Sequence, residues 1–226
     1  MFSSAAAGAG APSGADNRVY HAVAAGGSAE EVLRAIQRSR SSAAVNQVGP
    51  HGRTPLQAAR RMGRGDLLVL LLENGAVADG DRDWHYAVDW CVEKGDLEGL
   101  RRLIECGVSV DTADAQGWTP LMHACCFSGG DTPSRRDVTL EIFRRSSAET
   151  RRAVNVSGES AVDFIILVCH GGWHLLPWIT QLIVELLAAG APVQPHHRAR
   201  VLPIAAAHAA RRDAELAACQ AMAHDS

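Results

Sequence analysis

The apolar residues of this chain fall into short helical stretches that are separated by glycine-centred turns. The clearest case lies in residues 52–75, where a first stretch begins at Leu56 and a second, strongly apolar stretch covers residues 67–72. Gly63 and Gly75 follow the two stretches, and glycine is the residue that most often ends a helix. The pattern predicts two short helices joined by a tight turn.

The start of this helical pair carries three local signals. Gly52 permits the positive φ that a tight turn needs. Thr54 can cap the first helix, and Pro55 stands at the first helical position, where its missing N–H costs nothing. Because so short a pair cannot bury its own apolar surface, we expect it to stack on other pairs of the same kind.

The stretch from Thr54 to Ala59 is similar to the ankyrin repeat signature Thr-Pro-Leu-His-x-Ala, with Gln57 in place of the histidine. A second near-complete copy starts at Thr119, and the resemblance covers about residues 17–223. It implies an all-α fold, an ankyrin-type solenoid of stacked helix-turn-helix units with hairpin-like connecting loops. In such proteins the loop tips and the inner helices bind other proteins.

The later repeats depart from the signature to different degrees. The positions equivalent to Thr54 are Tyr86, Thr119, Ser160 and Leu202. The first two intervals are close to the ankyrin period of about 33 residues, and the last two are longer by roughly eight or nine residues. Residues 27–36 also align without gaps with residues 95–104, which is internal evidence of repetition. The predicted repeats cover residues 17–44, 45–80, 81–113, 114–153, 154–195 and 196–223.

The segments outside the regular pattern carry separate expectations. We expect a flexible tail over the Ala/Gly-rich residues 1–16 and a mobile polar loop over the insertion 128–136. The insertion 171–178 contains two tryptophans, which either form an exposed interaction patch or fold back over the fifth repeat. Charged residues and Pro177 interrupt the apolar run 161–191, so it predicts two buried helices rather than one membrane-spanning helix.

Composition narrows the function classes. The formal net charge of −3 over 226 residues argues against generic attraction to nucleic acid or to an anionic membrane. Six cysteines lie within apolar helical patterns, so we expect buried, reduced thiols rather than a disulfide framework. No basic residue precedes Arg18, and no apolar stretch there fits a signal peptide. These features favour an intracellular protein, in the cytoplasm, the nucleus or both.

The register of the ankyrin resemblance implies a set of partner-binding residues on the loop tips and on the groove side of the first helices. Their mixture of aromatic, cationic and polar side chains suits a protein recognition surface. Trp118 is either an anchor for a partner or a packing residue over the neighbouring loop. The predicted set is His51, Arg53, Arg61, Met62, Asp83, His85, Glu93, Lys94, Gln116, Trp118 and Phe127.

Two other function classes have candidate residues. A metal or redox site would use side chains that could converge between neighbouring repeats, although no Cys-x2-Cys pair occurs. These are Cys125, Cys126, Cys169, His170 and His174. A nucleic-acid interface would need the six arginine pairs of the chain to share one face. His196 and His197 are expected to be loop residues rather than ligands.

The chain carries no recognisable catalytic motif. A Gly-x-Ser-x-Gly elbow, a phosphate-binding glycine loop after a strand and a His-Glu-x2-His helix are all absent from the sequence. The sequence therefore predicts a non-catalytic protein-interaction module without a cofactor or metal. Its partner is a protein of unknown identity, and the chain is a monomeric array or a subunit of a larger complex.

Overall fold

The computed structural model describes residues 17–39, 41–50, 52–78, 81–127, 132–168 and 176–224, with the side chains of all but 81, 82, 127 and 212–224 of these. Within these ranges the chain forms twelve α helices and one 3-10 helix, and no β strand occurs there. The all-α class predicted from the sequence is confirmed. The expected tail 1–16 and most of the insertion 171–178 lie outside the described residues.

The helices follow one another in short pairs, as the apolar pattern predicts. The first three pairs are α1 Arg18–Ala24 with α2 Ala29–Arg38, α3 Pro55–Arg61 with α4 Gly65–Glu73, and α5 Asp81–Lys94 with α6 Leu97–Glu105. The next helices are α7 Pro120–Phe127, α8 Pro133–Arg145 and the short α9 Ala148–Arg152. The last three are α10 Ala161–Val168, α11 Pro177–Ala188 and α12 Pro195–His224, and the 3-10 helix is Ser42–Asn46. The exact repeat boundaries remain a prediction.

The chain divides into two compact units, the first within residues 1–90 and 101–108 and the second within residues 91–100 and 109–226. In the first unit, α1 packs against α2 and α3, and α3 packs against α4. Its core is made of fully buried aliphatic side chains: Val19, Val23, Leu56, Leu67, Leu68 and Leu71. Burial of these faces supplies the stability that helices of this length lack on their own.

The second unit repeats this arrangement. In it, α7 packs against α8 and α10, and α12 packs against α10 and α11. Its core side chains are Leu121, Met122, Ile142, Ile165, Ile166, Leu182 and Leu186. The apolar run 161–191 forms the two helices that the sequence predicts, α10 and α11, and no helix among the described residues is long and apolar enough to cross a membrane.

The start of α3 confirms the local signals read from the sequence. Thr54 caps the helix by accepting a hydrogen bond from the Gln57 N–H at 3.3 Å, and the Gln57 side-chain oxygen accepts from the Thr54 N–H at 3.1 Å. This reciprocal pair satisfies two backbone donors that would otherwise be unpaired at the helix start. Gln57 therefore caps the helix start, which gives glutamine a structural role at the position where the signature has histidine.

The last repeat differs from the expectation. The alignment of Leu202 with Thr54 predicts a helix start there, but α12 runs without a break for 30 residues from Pro195 and contains Pro203 in its interior. Pro195 supplies the helix start, and the alanine-rich sequence that follows has the highest helix propensity. The expectation that His196 and His197 are loop residues is wrong for the same reason, since both lie in the first turn of α12.

The cysteines follow the prediction in part. Cys91 and Cys125 are buried cysteines outside any disulfide, and Cys126 is partly buried. Cys106, however, is exposed at the end of α6, which corrects the expectation of burial for this residue. The side chains of Cys169 and Cys219 lie outside the described residues.

Close helix packing in the first unit requires that one residue, Gly65, has no side chain. Gly65 begins α4 so close to Trp90 that an added Cβ would overlap the indole ring. We expect Gly65→Ala to lower the free energy of unfolding by about 1–3 kcal/mol, because overpacking of the indole outweighs the roughly 1 kcal/mol by which alanine favours a helix over glycine. Urea denaturation followed by circular dichroism measures the change. A gain in stability would contradict the close contact.

Candidate partner-binding surface

Three turns of the chain are closed by the same backbone hydrogen bonds, and we call them the first tip (residues 49–53, of which 51 is not described), the second tip (114–118) and the third tip (155–159). In each, the first residue's N–H donates to the carbonyl of the fifth residue, at 2.8, 2.9 and 3.0 Å respectively. The fourth residue of each tip is a glycine with φ between 69° and 77°. Only glycine adopts such a φ without strain, so the tips are specified locally by the sequence.

The second and third tips are fixed from inside by the side chain of their first residue. One carboxylate oxygen of Asp114 accepts from the N–H groups of Gln116 and Trp118, at 2.9 and 2.8 Å. The side-chain oxygen of Asn155 accepts from the N–H groups of Ser157 and Glu159, both at 2.9 Å. A short polar side chain that holds two backbone donors makes the turn rigid.

The first tip is fixed in a different way. Its first residue is Gly49, and a Cβ there would overlap the ring of Tyr20, which is itself buried. The ring of Tyr20 therefore supports the first tip, in which glycine stands at the position where Asp114 and Asn155 supply an acceptor in the other two tips. The tip is also restricted by Pro50, whose ring fixes φ at its second position.

The second and third tips lie against each other within the second compact unit. The N–H of Val156 donates to the carbonyl of Gln116 at 2.9 Å. A Cβ on Gly117 would come within 3.1 Å of the Asn155 backbone, so the two turns are in close contact. Their outward residues form one surface: Gln116, Val156 and Ser157 are exposed, and Val156 is 76% exposed.

The third tip is also supported by a buried polar cluster below it. The side-chain amide of Gln194 donates to the Gly158 carbonyl, and the Gln194 N–H donates to the carboxylate of Asp163 at 2.9 Å. That carboxylate also accepts from the N–H and hydroxyl of Ser160, at 2.9 and 3.1 Å, and from Nδ1 of the buried His197 at 2.8 Å. The cluster ties α10 and α12 to the third tip.

The charge of Asp163 is stabilised although the residue is buried. Burial by itself raises the pKa of this carboxyl group. Hydrogen bonds from the Ser160 N–H, the His197 ring, the Gln194 N–H and the Ser160 hydroxyl act in the opposite direction, and together they lower the pKa below its ordinary value. Asp163 is therefore ionised near neutral pH and serves as the acceptor at the centre of the cluster.

Several predicted partner-binding residues are accessible. Arg61 and Met62 are exposed at the end of α3, Arg53 is half-buried in the first tip, and Gln116 is exposed in the second. Glu93 and Lys94 are also exposed, at the end of α5, and form an ion pair with each other at 2.7 Å. His51 and the side chain of Phe127 lie outside the described residues.

Trp118 packs inward. Its ring lies 4.2 Å from the ring of Phe164 and 4.9 Å from that of His123, measured between centroids. The residue is half-buried, so of the two alternatives left open by the sequence the structure favours packing. The buried part of the Trp118 ring supports the second tip, and the exposed part belongs to the surface of that tip.

Asp83 and His85 do not lie on a tip, which corrects the expectation for these two residues. Both are on α5, which begins at Asp81, the position equivalent to Asp114. Asp83 is fully buried and forms an ion pair with Arg60 at 2.6 Å. The third repeat has lost the Thr-Pro-Leu start, so the helix extends over the positions that form a turn elsewhere.

The described residues give little support to a metal site or to a nucleic-acid interface. Among the described residues no group of three His, Cys, Asp or Glu side chains could hold a metal ion, and Cys169, His170 and His174 lie outside them. Burial raises the pKa of the Cys125 thiol far above its ordinary value, which disfavours the thiolate that zinc requires. Several arginines are neutralised by ion pairs with carboxylates, namely Arg60, Arg64, Arg102 and Arg145.

Sequence reasoning missed three tip residues: Ala115, Val156 and Ser157. The signal was present, because Asn155 and Gly158 have the same spacing as Asp114 and Gly117. The fifth repeat has Ser160-Ala161-Val162 in place of Thr-Pro-Leu, so the signature alone does not mark its tip.

Comparison with known proteins agrees with this architecture. The family model described as "Ankyrin repeat" matches residues 51–82, and the one described as "Ankyrin repeats (many copies)" matches residues 88–134. The two matches confirm the predicted resemblance and the all-α repeat fold. The chain is also similar to the transcription factor SWI6 of Pyricularia oryzae and of its strain 70-15, with 30% identity over 104 residues. The match covers 41% of this chain and 12% of that protein.

The polar cluster below the third tip makes a testable prediction about pH. We expect Asp163→Asn to lower the free energy of unfolding at pH 7 by roughly 1–3 kcal/mol, because a buried acceptor of several hydrogen bonds is lost. The wild-type chain should also lose stability as the pH falls from about 5 towards 2, since its carboxyl group has a lower pKa in the folded state than in the unfolded state.

The variant should show a shallower loss over the same range, because asparagine does not titrate. Urea denaturation at a series of pH values measures both effects, and Asp137→Asn on the surface of α8 is a matched control. If the free energy of unfolding depends on pH in the same way in wild type and in Asp163→Asn, the charge of Asp163 is not stabilised by the fold.

Proposed function

We propose, on the premise that its two matched segments are ankyrin repeats, that this chain is a non-catalytic protein-interaction module. It binds a protein partner through the tips and through the exposed ends of the first helices α3 and α5. We also propose that it acts inside the cell, in the cytoplasm, the nucleus or both. The partner-binding residues that remain in the proposal are Arg53, Arg61, Met62, Glu93, Lys94, Gln116 and part of Trp118, now with Val156 and Ser157.

The observation that carries the proposal is the fixed geometry of the tips. Each is closed by two backbone hydrogen bonds, and two of them are reinforced by an Asp or Asn side chain. A partner that docks on residues already held in place meets little cost of ordering them. The exposed pair of Gln116 and Val156 supplies both a polar group and an apolar group for recognition.

Each compact unit also has exposed side chains at the end of one first helix, Arg61 and Met62 on or beside α3 in the first unit and Glu93 and Lys94 on α5 in the second. In the first unit, Arg64 donates to the carbonyls of Gly26 and Gly27 and forms an ion pair with Asp66 at 2.6 Å. Met62, which is 44% exposed, lies 3.8 Å from the point where a Gly26 Cβ would be. The turn between α1 and α2 is thus held beside an exposed, flexible apolar side chain, a type that adapts well to a partner.

Nucleic-acid binding is the second candidate because the relative with the 104-residue match is named a transcription factor. That match covers only 12% of the relative, and the formal net charge of −3 disfavours general attraction to nucleic acid. The two candidates differ in salt dependence, since nucleic-acid affinity falls by orders of magnitude over a few-fold rise in salt concentration.

Binding measurements with tip variants test the proposal. The immobilised chain is used to capture partners from native extract, and the captured protein is purified for titration calorimetry. We expect the double variant Gln116→Arg, Val156→Arg to bind at least about tenfold more weakly, because two bulky charges replace the surface that the partner contacts. Circular dichroism should stay unchanged, since both side chains are exposed.

Arg144→Ala with Glu149→Ala is the matched control, because both residues are exposed and belong to α8 and α9 rather than to a tip. Its affinity should remain within about twofold of wild type. If the tip variant binds as well as the control, the tips are not the docking surface. If the captured material is nucleic acid and its binding falls steeply with salt, the second candidate replaces the first.

A further inference from the structure

The chain contains three Thr-Pro pairs, and we propose that one of them, Thr132-Pro133, is a phosphorylation site for a proline-directed protein kinase. The kinase transfers the γ-phosphoryl group of ATP to Oγ1 of the threonine. The bond from oxygen to the γ-phosphorus of ATP breaks on the ADP side, the bond from Oγ1 to that phosphorus forms, and the hydroxyl proton passes to solvent. The products are phosphothreonine and ADP. The phosphate then weakens binding of the protein partner, an effect that rests on the proposed function.

The sequence after Thr132 has two features that proline-directed kinases recognise. One is a proline directly after the acceptor, which is Pro133. The other is a basic residue at the third position after the acceptor, which is Arg135. Kinases select their substrates by charge patterns of this kind, so the pair of features is more specific than the proline alone.

The other two Thr-Pro pairs use their threonine for the fold. Thr54 accepts a hydrogen bond from the Gln57 N–H at 3.3 Å, and Thr119 accepts one from the Met122 N–H at 3.2 Å. Thr119 is also only 2% exposed. In both cases the third residue after the threonine is uncharged. These two threonines therefore serve as helix caps and lack the second recognition feature.

The hydroxyl of Thr132 is not used in this way. Thr132 is the N-cap residue of α8, but its side chain makes no capping hydrogen bond. The residue is exposed, and its backbone is extended, with φ −96° and ψ 128°. A threonine at a helix start normally caps the helix, and departures from such local rules are expected at functional sites. Its hydroxyl is available as an acceptor for a phosphoryl group.

A kinase has to bind the residues around Thr132 in an extended form, so the first turn of α8 must open. Opening breaks few hydrogen bonds, because Pro133 has no N–H to donate and Thr132 supplies no cap. The bonds that would be lost include the one from the Arg136 N–H to the Thr132 carbonyl and the one from the Arg135 side chain to the Glu93 carbonyl, both at 3.1 Å. Uncapped helix ends of this kind open at low cost in free energy.

The start of α8 lies against the end of α5 within the second compact unit, to which residues 91–100 belong. A Cβ on Gly95 would come within 2.8 Å of the Ser134 side chain. Thr132 is two residues before Ser134, which is at most about 7 Å along the chain. A phosphate on Thr132 therefore adds a charge of about −1.5 to −2 close to the end of α5.

This added charge changes part of the proposed binding surface. Glu93 and Lys94 are exposed at the end of α5 and neutralise each other in an ion pair at 2.7 Å. A partner that fits this neutral pair has no group matched to a phosphate beside it. The unmatched charge must then lose part of its hydration when the partner docks, and this costs affinity.

A kinase assay on the full chain tests the site. The purified chain is incubated with ATP and a purified cyclin-dependent kinase, which is proline-directed, and the modified residue is identified by mass spectrometry. We expect about one phosphate per chain, on Thr132, because the other two Thr-Pro hydroxyls serve as caps. Thr132→Val should take up none, and Thr132→Ser, the matched control, should be modified because it keeps the hydroxyl. Circular dichroism checks that the variants are folded alike.

The assignment of the site is overturned by two results. One is the absence of phosphate from Thr132 in a kinase reaction that modifies a control peptide with the same Thr-Pro-Ser-Arg sequence. The other is modification of Thr54, Thr119 or Ser134 at the same rate as Thr132.

Titration calorimetry with the captured partner tests the effect on binding. We expect the phosphorylated chain to bind at least about threefold more weakly at low salt, and the difference to shrink at high salt, because salt screens exposed charges. Kinase-treated Thr132→Val is the control and should bind like the untreated chain. Equal affinity of the phosphorylated and unmodified chains at low salt overturns the effect on binding.

This failure differs from failure of the proposed function. A partner that depends on Gln116 and Val156 but is indifferent to the phosphate would leave the proposed function in place. A partner that is indifferent to the tip variant as well would overturn the proposed function and with it the effect on binding, while the kinase assay still decides the site.

Discussion

The fold depends on one constraint, which is that two helices of seven to fourteen residues cannot bury their own apolar faces. Each pair must lie against a neighbouring pair, and the backbones have to approach closely for the small cores to close. Gly65 beside Trp90 and Gly49 beside Tyr20 show how close this approach is. The connecting turns are then left at the surface, where their polar backbone groups must find partners within the turn itself.

The tips satisfy their polar backbone groups internally, and this makes them suitable for binding a partner. Asp114 and Asn155 each accept hydrogen bonds from two backbone N–H groups of their own tip. The other residues of that tip are therefore held in place without hydrogen bonds from their own side chains. Side chains that are not needed for the fold are available to contact a partner. Below the third tip, the ionised Asp163 on α10 extends the same principle into the core, because it accepts hydrogen bonds from Ser160 before α10, from Gln194 before α12 and from His197 on α12.

Local chemistry was predictable from the sequence where it depends on a few adjacent residues. Gly52, Thr54 and Pro55 predicted a turn, a cap and a helix start, and the structure has all three. What depends on distant residues was not predictable. Asp83 is buried because Arg60 lies at 2.6 Å, and Trp118 turns inward because Phe164 lies beside it. Both the long α12 and the extension of α5 arise where the capping signature is lost, and in α12 the high helix propensity of alanine adds to this effect.

Binding through the tips depends on their being ordered before any partner arrives, and residue-resolved amide hydrogen exchange of the free chain by NMR measures that order. Preformed tips should show slow exchange for the N–H groups of Trp118 and Glu159, which donate to Asp114 and Asn155. The N–H of Ala115, which makes no hydrogen bond within the described part of the chain, should exchange fast. If Trp118 and Glu159 exchange as fast as Ala115, at the rates of an unfolded chain, the tips are not preformed and the account is contradicted.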